Sequence, residues 1–317
     1  MTKGTIDNPI AFTDAIQSDR IIPGDVLLLR GGTYAGNWTL NIGGSNGAPV
    51  TIKPYNHEPV IFDGGLALTK SYLKIMDVEI TNSNPDRTTW IEPGIVMGAA
   101  GHELIGCYIH DLHNDGVNWM GGGTGRIAEC LIDNNGSNDG QDSFGHAIYT
   151  HNDPGGLRTI EHNLLLNQMG AYTIHIYSAG ENWLQDYACI DNVIWGDPVH
   201  IGGGLGIKNL IYDGNIQCGD YAQIGRYSPE GENYDATIRN NLFIDMSNFR
   251  VDPFQSLTES NNIAWSDTAG WTTQTGYTVE AKPSIWSHLV PFSLSERWSG
   301  IQCSITDGVF SAEMVSL

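Results

Sequence analysis

Imidazole, phenol and guanidinium groups gather in one stretch of this 317-residue chain: HAIYTH at 146–151, YTIHIYS at 172–178, VHIGGG at 199–204 and AQIGRYS at 222–228. A β-elimination at a sugar acid needs such groups: a base for the C5 proton, an acid for the departing oxygen, and a cation that neutralises the carboxylate. His175 is the first choice of base, Tyr149 or Tyr177 of acid and Arg226 of cation, with His146, His151 and His200 completing the catalytic set. Asn118, Trp119, Gln223 and Tyr227 are the expected substrate-binding residues beside them.

The carboxylates support other chemistry. Glycoside hydrolysis takes two acids across the scissile bond, about 5 Å or roughly 6.5–9.5 Å apart, and Asp115 with Asp139 or Asp142 is the candidate pair. Asp111, Asp115, Asp139 and Asp142 could also gather around Ca²⁺, which takes oxygen ligands from turns, although no EF-hand spacing occurs; no other cofactor is suggested. Aspartates in such loops more often cap turns through bonds to nearby backbone. The His and Tyr rows have a structural reading too, as outward ladders that pair neighbouring strands. They would equally serve a non-catalytic module that binds glycans, because flat rings pack on sugar C–H surfaces without cutting them.

Only a repeat would bring residues this far apart onto one line. The segments HNLLL, DNVIW, GNIQC, NNLFI and NNIAW place Asn163, Asn192, Asn215, Asn241 and Asn262 at steps of 29, 23, 26 and 21 residues. Upstream, Cys130, Cys107 and Asp77 extend the same frame. An irregular period above about twenty residues with a fixed strand pattern reads as coils of short parallel strands, stacked about 4.8 Å apart. An Asn at an inward turn bonds its own coil and the Asn one coil away, so the repeat satisfies buried polar groups. About ten residues after each ladder position runs a second line, with Ile95, Val117, Ile148, Ile174, Ile201 and Ile224 inward and the His, Tyr, Asn and Gln candidates outward.

The expected fold is therefore all-β, a right-handed parallel β-helix of about nine or ten coils over residues 23–268. Residues 1–22 form an N-terminal cap with helical spacing at Ile10, Phe12, Ala15 and Ile16, and 269–317 a C-terminal cap or small irregular β extension.

Composition narrows the partners. The formal charge of −21 repels nucleic acid and anionic membranes, and no run of 18 or more apolar residues reads as a membrane span. A polysaccharide or oligosaccharide is the expected partner, with an acidic one requiring a local cation; monomer and trimer both remain open. Five cysteines without CxxC pairing suggest neither a zinc site nor a disulfide framework. No signal peptide precedes the first strand, and an extracellular or virion-associated setting is expected.

The stretch PGDVLLLRGGTYAGNWTL (23–40) followed by APVTIKPYNHEPVIFDGG (48–65) resembles the opening coils of the pectate-lyase-like superfamily, and most of all its chondroitinase-B-like and alginate-lyase-like group. Later coils also resemble phage tailspike repeats. The resemblance spans roughly residues 5–265 and implies the fold; it implies a polysaccharide lyase or a glycoside hydrolase less specifically, because the superfamily hosts several reactions and non-enzymatic adhesins. The Lys and Arg pair expected of the chondroitinase-B-like group cannot be placed here, where Lys208 alone falls in the middle coils.

Overall fold

The computed structural model describes residues 4–265 apart from 18, 88–93, 138–144, 152–155, 171, 179–181, 197, 220, 227–231 and 247, together with 277–280, 301–306 and 309–314. Its strands form three parallel sheets of 10, 11 and 9 members, visited in rotation. The first coil places Val26–Leu29 in the first sheet, Gly32–Ala35 in the second and Trp38–Leu40 in the third; the rotation still holds at Ala236–Arg239, Leu242–Ile244 and Asn248–Val251. This is the right-handed parallel β-helix expected from the repeat.

The asparagine ladder is what fixes the coils in register. Asn163, Asn192, Asn215, Asn241 and Asn262 are all essentially buried. From Asn192 onward each Oδ1 accepts two bonds from the Asn one coil earlier: Asn192 Oδ1, for example, takes Asn163 N at 3.1 Å and Nδ2 at 2.9 Å. Each Nδ2 also donates to a strand carbonyl, as Asn192 Nδ2 does to Ile160 O at 2.9 Å. Cys130 joins the ladder through its main chain, its N donating to Asn163 Oδ1 at 3.0 Å, and Cys107 stands buried one coil before it.

Asp77 is not a ladder residue. Strand pairing sets Glu79 beside Tyr108, so the ladder position of that coil is Val78, fully buried. Asp77 belongs one residue earlier, with Glu129, His162, Asp191, Asn240 and Asn261, whose φ values run from 50° to 57°. That left-handed residue makes the bend from the first sheet into the second, which explains the Asp, Asn and Gly found there.

Alternation fills the interior with one continuous core, from Ile16 and Leu29 to Ile238 and Ala264. Outward positions of the second sheet form a separate apolar layer, Leu131, Leu164, Leu166 and Val193; outward positions of the third carry the polar groups. At the N-terminus the expected helical lid is a single turn, Phe12–Ala15, with Phe12 edge-on to Tyr34 and Trp38 at 5.1 and 5.0 Å. Beyond Trp265, Tyr277–Glu280 adds one more parallel strand, and Ile301–Thr306 with Val309–Met314 makes an antiparallel hairpin. Among the described residues no helix is long and apolar enough to cross a membrane.

Candidate functional site

One outward line of the third sheet carries the polar candidates in register: Asn118 beside Tyr149, Tyr149 beside His175, His175 beside His200, His200 beside Gln223, and Gln223 beside Arg250. The inward line slips by two relative to the sequence expectation, since Ile174 stacks on Val199 and Ile201 on Ile176. A slip of two keeps every side chain on its face, so the outward set survives.

Within that line four side chains form a hydrogen-bonded file. Asp115 Oδ1 lies 2.7 Å from His146 Nδ1, His146 Nε2 lies 3.1 Å from His175 Nδ1, and His175 Nε2 lies 3.2 Å from His200 Nδ1. Asp115 and His146 are each only 2% exposed, whereas His175 and His200 are half-buried. The inner end is firmly set: Asp115 Oδ1 also accepts the backbone N–H groups of Gly145 and His146 at 3.1 and 3.0 Å, and Oδ2 faces Asn118 Nδ2 at 3.3 Å.

A carboxylate can only accept, and that fixes the direction of the whole file. His146 must carry its proton on Nδ1, leaving Nε2 to accept from His175 Nδ1–H. His175 Nε2 then accepts from His200 Nδ1–H. The lone pair left over is on His200 Nε2, which makes no hydrogen bond to the described residues. Both nitrogens of His175 are engaged, which leaves it no lone pair for a further partner.

Burial disfavours the charged form of the two outer imidazoles. It pulls the His175 pKa down to about 2, with the neighbouring His146 and His200 adding to the effect. His200 is lowered as well, again by burial, against an opposing pull from Asp252. Tyr149 is raised by burial and then by the charges of Asp115 and Tyr177, so its phenol stays protonated.

Aromatic rings enclose the middle of the file. Tyr177 stacks on His175 at 4.9 Å and meets His200 at 5.7 Å; Tyr149 lies 5.4 Å from His146 and 5.2 Å from His175. Tyr177 reaches the next coil because Gly203 has no side chain: at φ 108°, a Cβ there would sit 2.5 Å from the Tyr177 ring. Tyr172, absent from the sequence-based set, packs on His175 at 4.6 Å and His200 at 5.2 Å. It precedes its strand and so falls outside the alternation that selected the others.

Beyond His200 the line continues into a second polar cluster, of which sequence reading had named Gln223 alone. Asp252, 2% exposed, accepts Gln223 Nε2 at 2.9 Å and Arg250 Nε at 2.6 Å, and Tyr221 Oη donates to Gln223 Oε1 at 2.5 Å. Counting one further coil from Gln223 would have found Arg250. Arg226 instead lies where the strand has ended, its backbone N and O bonded by Asn233 at 3.0 and 3.2 Å.

Other expectations fare differently. Trp119 is 0% exposed and points inward, its ring filling the space beside Gly125 with the Arg158 guanidinium 4.6 Å from its centroid; it is core and cannot touch a ligand on the outward face. Arg158, itself buried, donates to Trp119 O and His151 O at 2.8 Å each and to Gly121 O. His151 follows the last strand residue of its coil, and its carbonyl is part of that clamp. Asp115 is withdrawn from any acid pair by its bonds to His146, and Asp139, Asp142 and Tyr227 lie outside the described residues. Asp111, proposed with Asp115 for Ca²⁺, is held by Asn134 Nδ2 at 2.6 Å, His110 Nδ1 at 2.8 Å and Arg87 at 3.4 Å. The two carboxylates serve separate protein partners, and no group of three or more His, Cys, Asp or Glu placed to hold a metal occurs among the described residues.

No protein-family model matches the chain, and the curated proteins contain no match to it. Among solved structures it is similar to pectate lyase Pel9A, over 98% of this chain and 90% of that one, at 13% identity and a TM-score of 0.57. A rhamnogalacturonan lyase matches over 87% and 81% of the two chains at 14% identity and a TM-score of 0.49. The GH136 lacto-N-biosidase from Eubacterium ramulus matches over 88% and 65% at 12% identity and 0.48. At such identities the first likeness is one of fold, a pectate-lyase-like β-helix, and transfers no residue.

Proposed function

We propose that the protein is a polysaccharide-degrading enzyme of the lyase kind, acting on an acidic polymer laid along the outward face of the third sheet. The observation that carries this reading is the Asp115–His146–His175–His200 file, which ends in an uncommitted imidazole nitrogen on that face. A purely structural ladder needs no buried carboxylate to orient it. One protein of the same fold is by name a pectate lyase, and an acidic polysaccharide is the substrate class adopted.

In the reaction, His200 Nε2 takes the C5 proton of a uronate residue. The released electron pair forms the C4=C5 double bond as the C4–O bond breaks, and a phenol protonates the departing oxygen. Tyr177 suits that acid role better than Tyr149, because its ring already meets His200. The new positive charge need not stay on His200: successive shifts of the Nδ1 protons through His175 deliver it to His146, beside Asp115. Arg250, on the same outward line, replaces Arg226 as the cation that steadies the substrate carboxylate.

Incubation with uronate polymers, followed by the ultraviolet absorbance of the conjugated C4=C5 product, tests this. His200→Ala should abolish the signal, and Asp115→Asn, whose amide oxygen still accepts the N–H groups of Gly145 and His146 but carries no charge to steady a protonated His146, should cost a factor on the order of 10²–10⁴, the usual share of general base catalysis. Release of reducing ends without new absorbance would show hydrolysis instead. Full turnover by His200→Ala would remove the base.

A further inference from the structure

At the corner where the third sheet passes into the first, three residues from successive coils converge. Trp183 opens the strand Trp183–Ile190, Lys208 lies on the next strand of that sheet, Gly206–Asp213, and Tyr234 follows one coil later, its N–H bonded to Ile207 O at 2.9 Å. The Lys208 ammonium stands 3.7 Å from the Trp183 ring centroid and 4.8 Å from that of Tyr234, and the two rings meet edge to face at 5.2 Å.

The way this cation is held is unusual for its surroundings. The chain carries 36 acidic residues against 15 basic ones, and Lys208 is the sole lysine between Lys74 and Lys282. Yet it takes two aromatic faces, and among the described residues it enters no ion pair. The carboxylate of Glu232 accepts Tyr234 Oη at 2.6 Å and Gln255 Nε2 at 3.0 Å, both through Oε2. Ring faces attract an ammonium through their quadrupole but supply no counter-charge and no acceptor oxygen, so the Lys208 ammonium has N–H donors to spare.

Its place ties it to the outward face described above. The strand Ile174–Ser178, with His175 and Tyr177, precedes the strand of Trp183 in the chain, and the bonds Gly204 N to Ser178 O (2.6 Å) and Leu205 N to Asn182 O (3.0 Å) clamp the two coils together at that corner. Asn233, next to Tyr234, is the residue that holds the main chain of Arg226.

We infer that Trp183, Lys208 and Tyr234 form a binding subsite for an acidic sugar residue at the flank of the His200 face. The sugar carboxylate completes the shell of the ammonium, and the half-buried rings of Trp183 and Tyr234 offer apolar surface to its C–H groups. This rests on the polysaccharide reading, but not on the base.

Calorimetric titration of the His200→Ala variant with a uronate oligosaccharide, and with its carboxyl-reduced neutral counterpart, separates the two. Lys208→Met should weaken the acidic ligand by about tenfold, the equivalent of one partly desolvated ion pair, and leave the neutral one within about twofold. Lys208→Arg should restore the acidic affinity, which excludes misfolding as the cause. Unchanged affinity in Lys208→Met, or equal loss of both ligands, would overturn the subsite, and so would a protein that binds neither. Wild-type protein that binds through Lys208 yet eliminates nothing would refute the base and leave the subsite standing.

Discussion

Burying an imidazole makes it a proton-poor site, and three described histidines, His102, His175 and His200, are held that way. Burial pulls His102 down to about 4, although its Nδ1 accepts the Leu73 N–H at 3.3 Å, and His175 down to about 2. Unfolding returns both to the ordinary value near 6.5, so below that pH the unfolded chain binds more protons than the folded one and stability falls with pH. The loss begins near pH 6.5 and is complete for His102 once pH passes about 4; its share is roughly 3 kcal/mol. Urea unfolding of wild type and His102→Gln at pH 7 and 4.5 checks this, because the glutamine keeps an acceptor and cannot titrate. The variant should lose distinctly less stability over that interval; equal losses would place the acid sensitivity elsewhere. At this scale sequence reading set Asn118, Tyr149, His175 and His200 on one outward line, and did not foresee which side chains bond to one another. His146 and Asp115 meet across 31 positions, a contact no local spacing encodes. Trp119 was legible in principle, since alternation from inward Val117 puts it inside.

The coils owe their register to bonds that cross between them, which makes the ladder asparagines worth more than their number. Asn215 Oδ1 accepts the N and Nδ2 of Asn192 at 3.0 and 2.9 Å, while its own Nδ2 serves Cys189 O at 2.9 Å and Asn241 Oδ1 at 3.2 Å. Truncation to Ala strands several buried groups at once, each costing about 1–3 kcal/mol. Asn215→Ala should therefore destabilise by about 3 kcal/mol or more, read as a lower denaturant midpoint. Asn240→Ala, one residue from the ladder at an exposed left-handed bend, should cost on the order of 1 kcal/mol. Comparable effects in the two variants would contradict the ladder as the source of register. These elements were largely legible because a buried amide at a fixed turn leaves the same letter in five successive coils, at Asn163, Asn192, Asn215, Asn241 and Asn262. The frame failed at Asp77, where Val78 replaces the amide and the neighbouring bend residue imitates it. It also missed Tyr172 and Asp252, which stand beyond their strands.

Over the whole molecule the chemistry is unevenly spread. The outward line of the third sheet begins with Thr39, Ala67 and Val96, and only from Asn118 onward does it carry groups able to bind or react. The charge, by contrast, is general: −21 on a chain whose reactive face is proposed to receive an anionic polymer. Two fields of opposite sign then act on the substrate. At long range the protein repels it; within the site, Lys208 and Arg250 attract it. Salt shortens the reach of both, from a Debye length of about 30 Å at 0.01 M to about 8 Å at 0.15 M. That removes most of the distant repulsion while leaving contacts of a few ångströms and partial burial much less affected. Association with an acidic oligosaccharide should therefore quicken between those two ionic strengths, the reverse of the usual behaviour of a steered encounter, and a neutral oligosaccharide should show no such change. Stopped-flow measurement of the association rate constant checks this. A rate for the acidic ligand that falls as salt rises would mean that local cations, rather than the net charge, govern approach, and the attraction at the site would then have to reach well beyond Lys208 and Arg250.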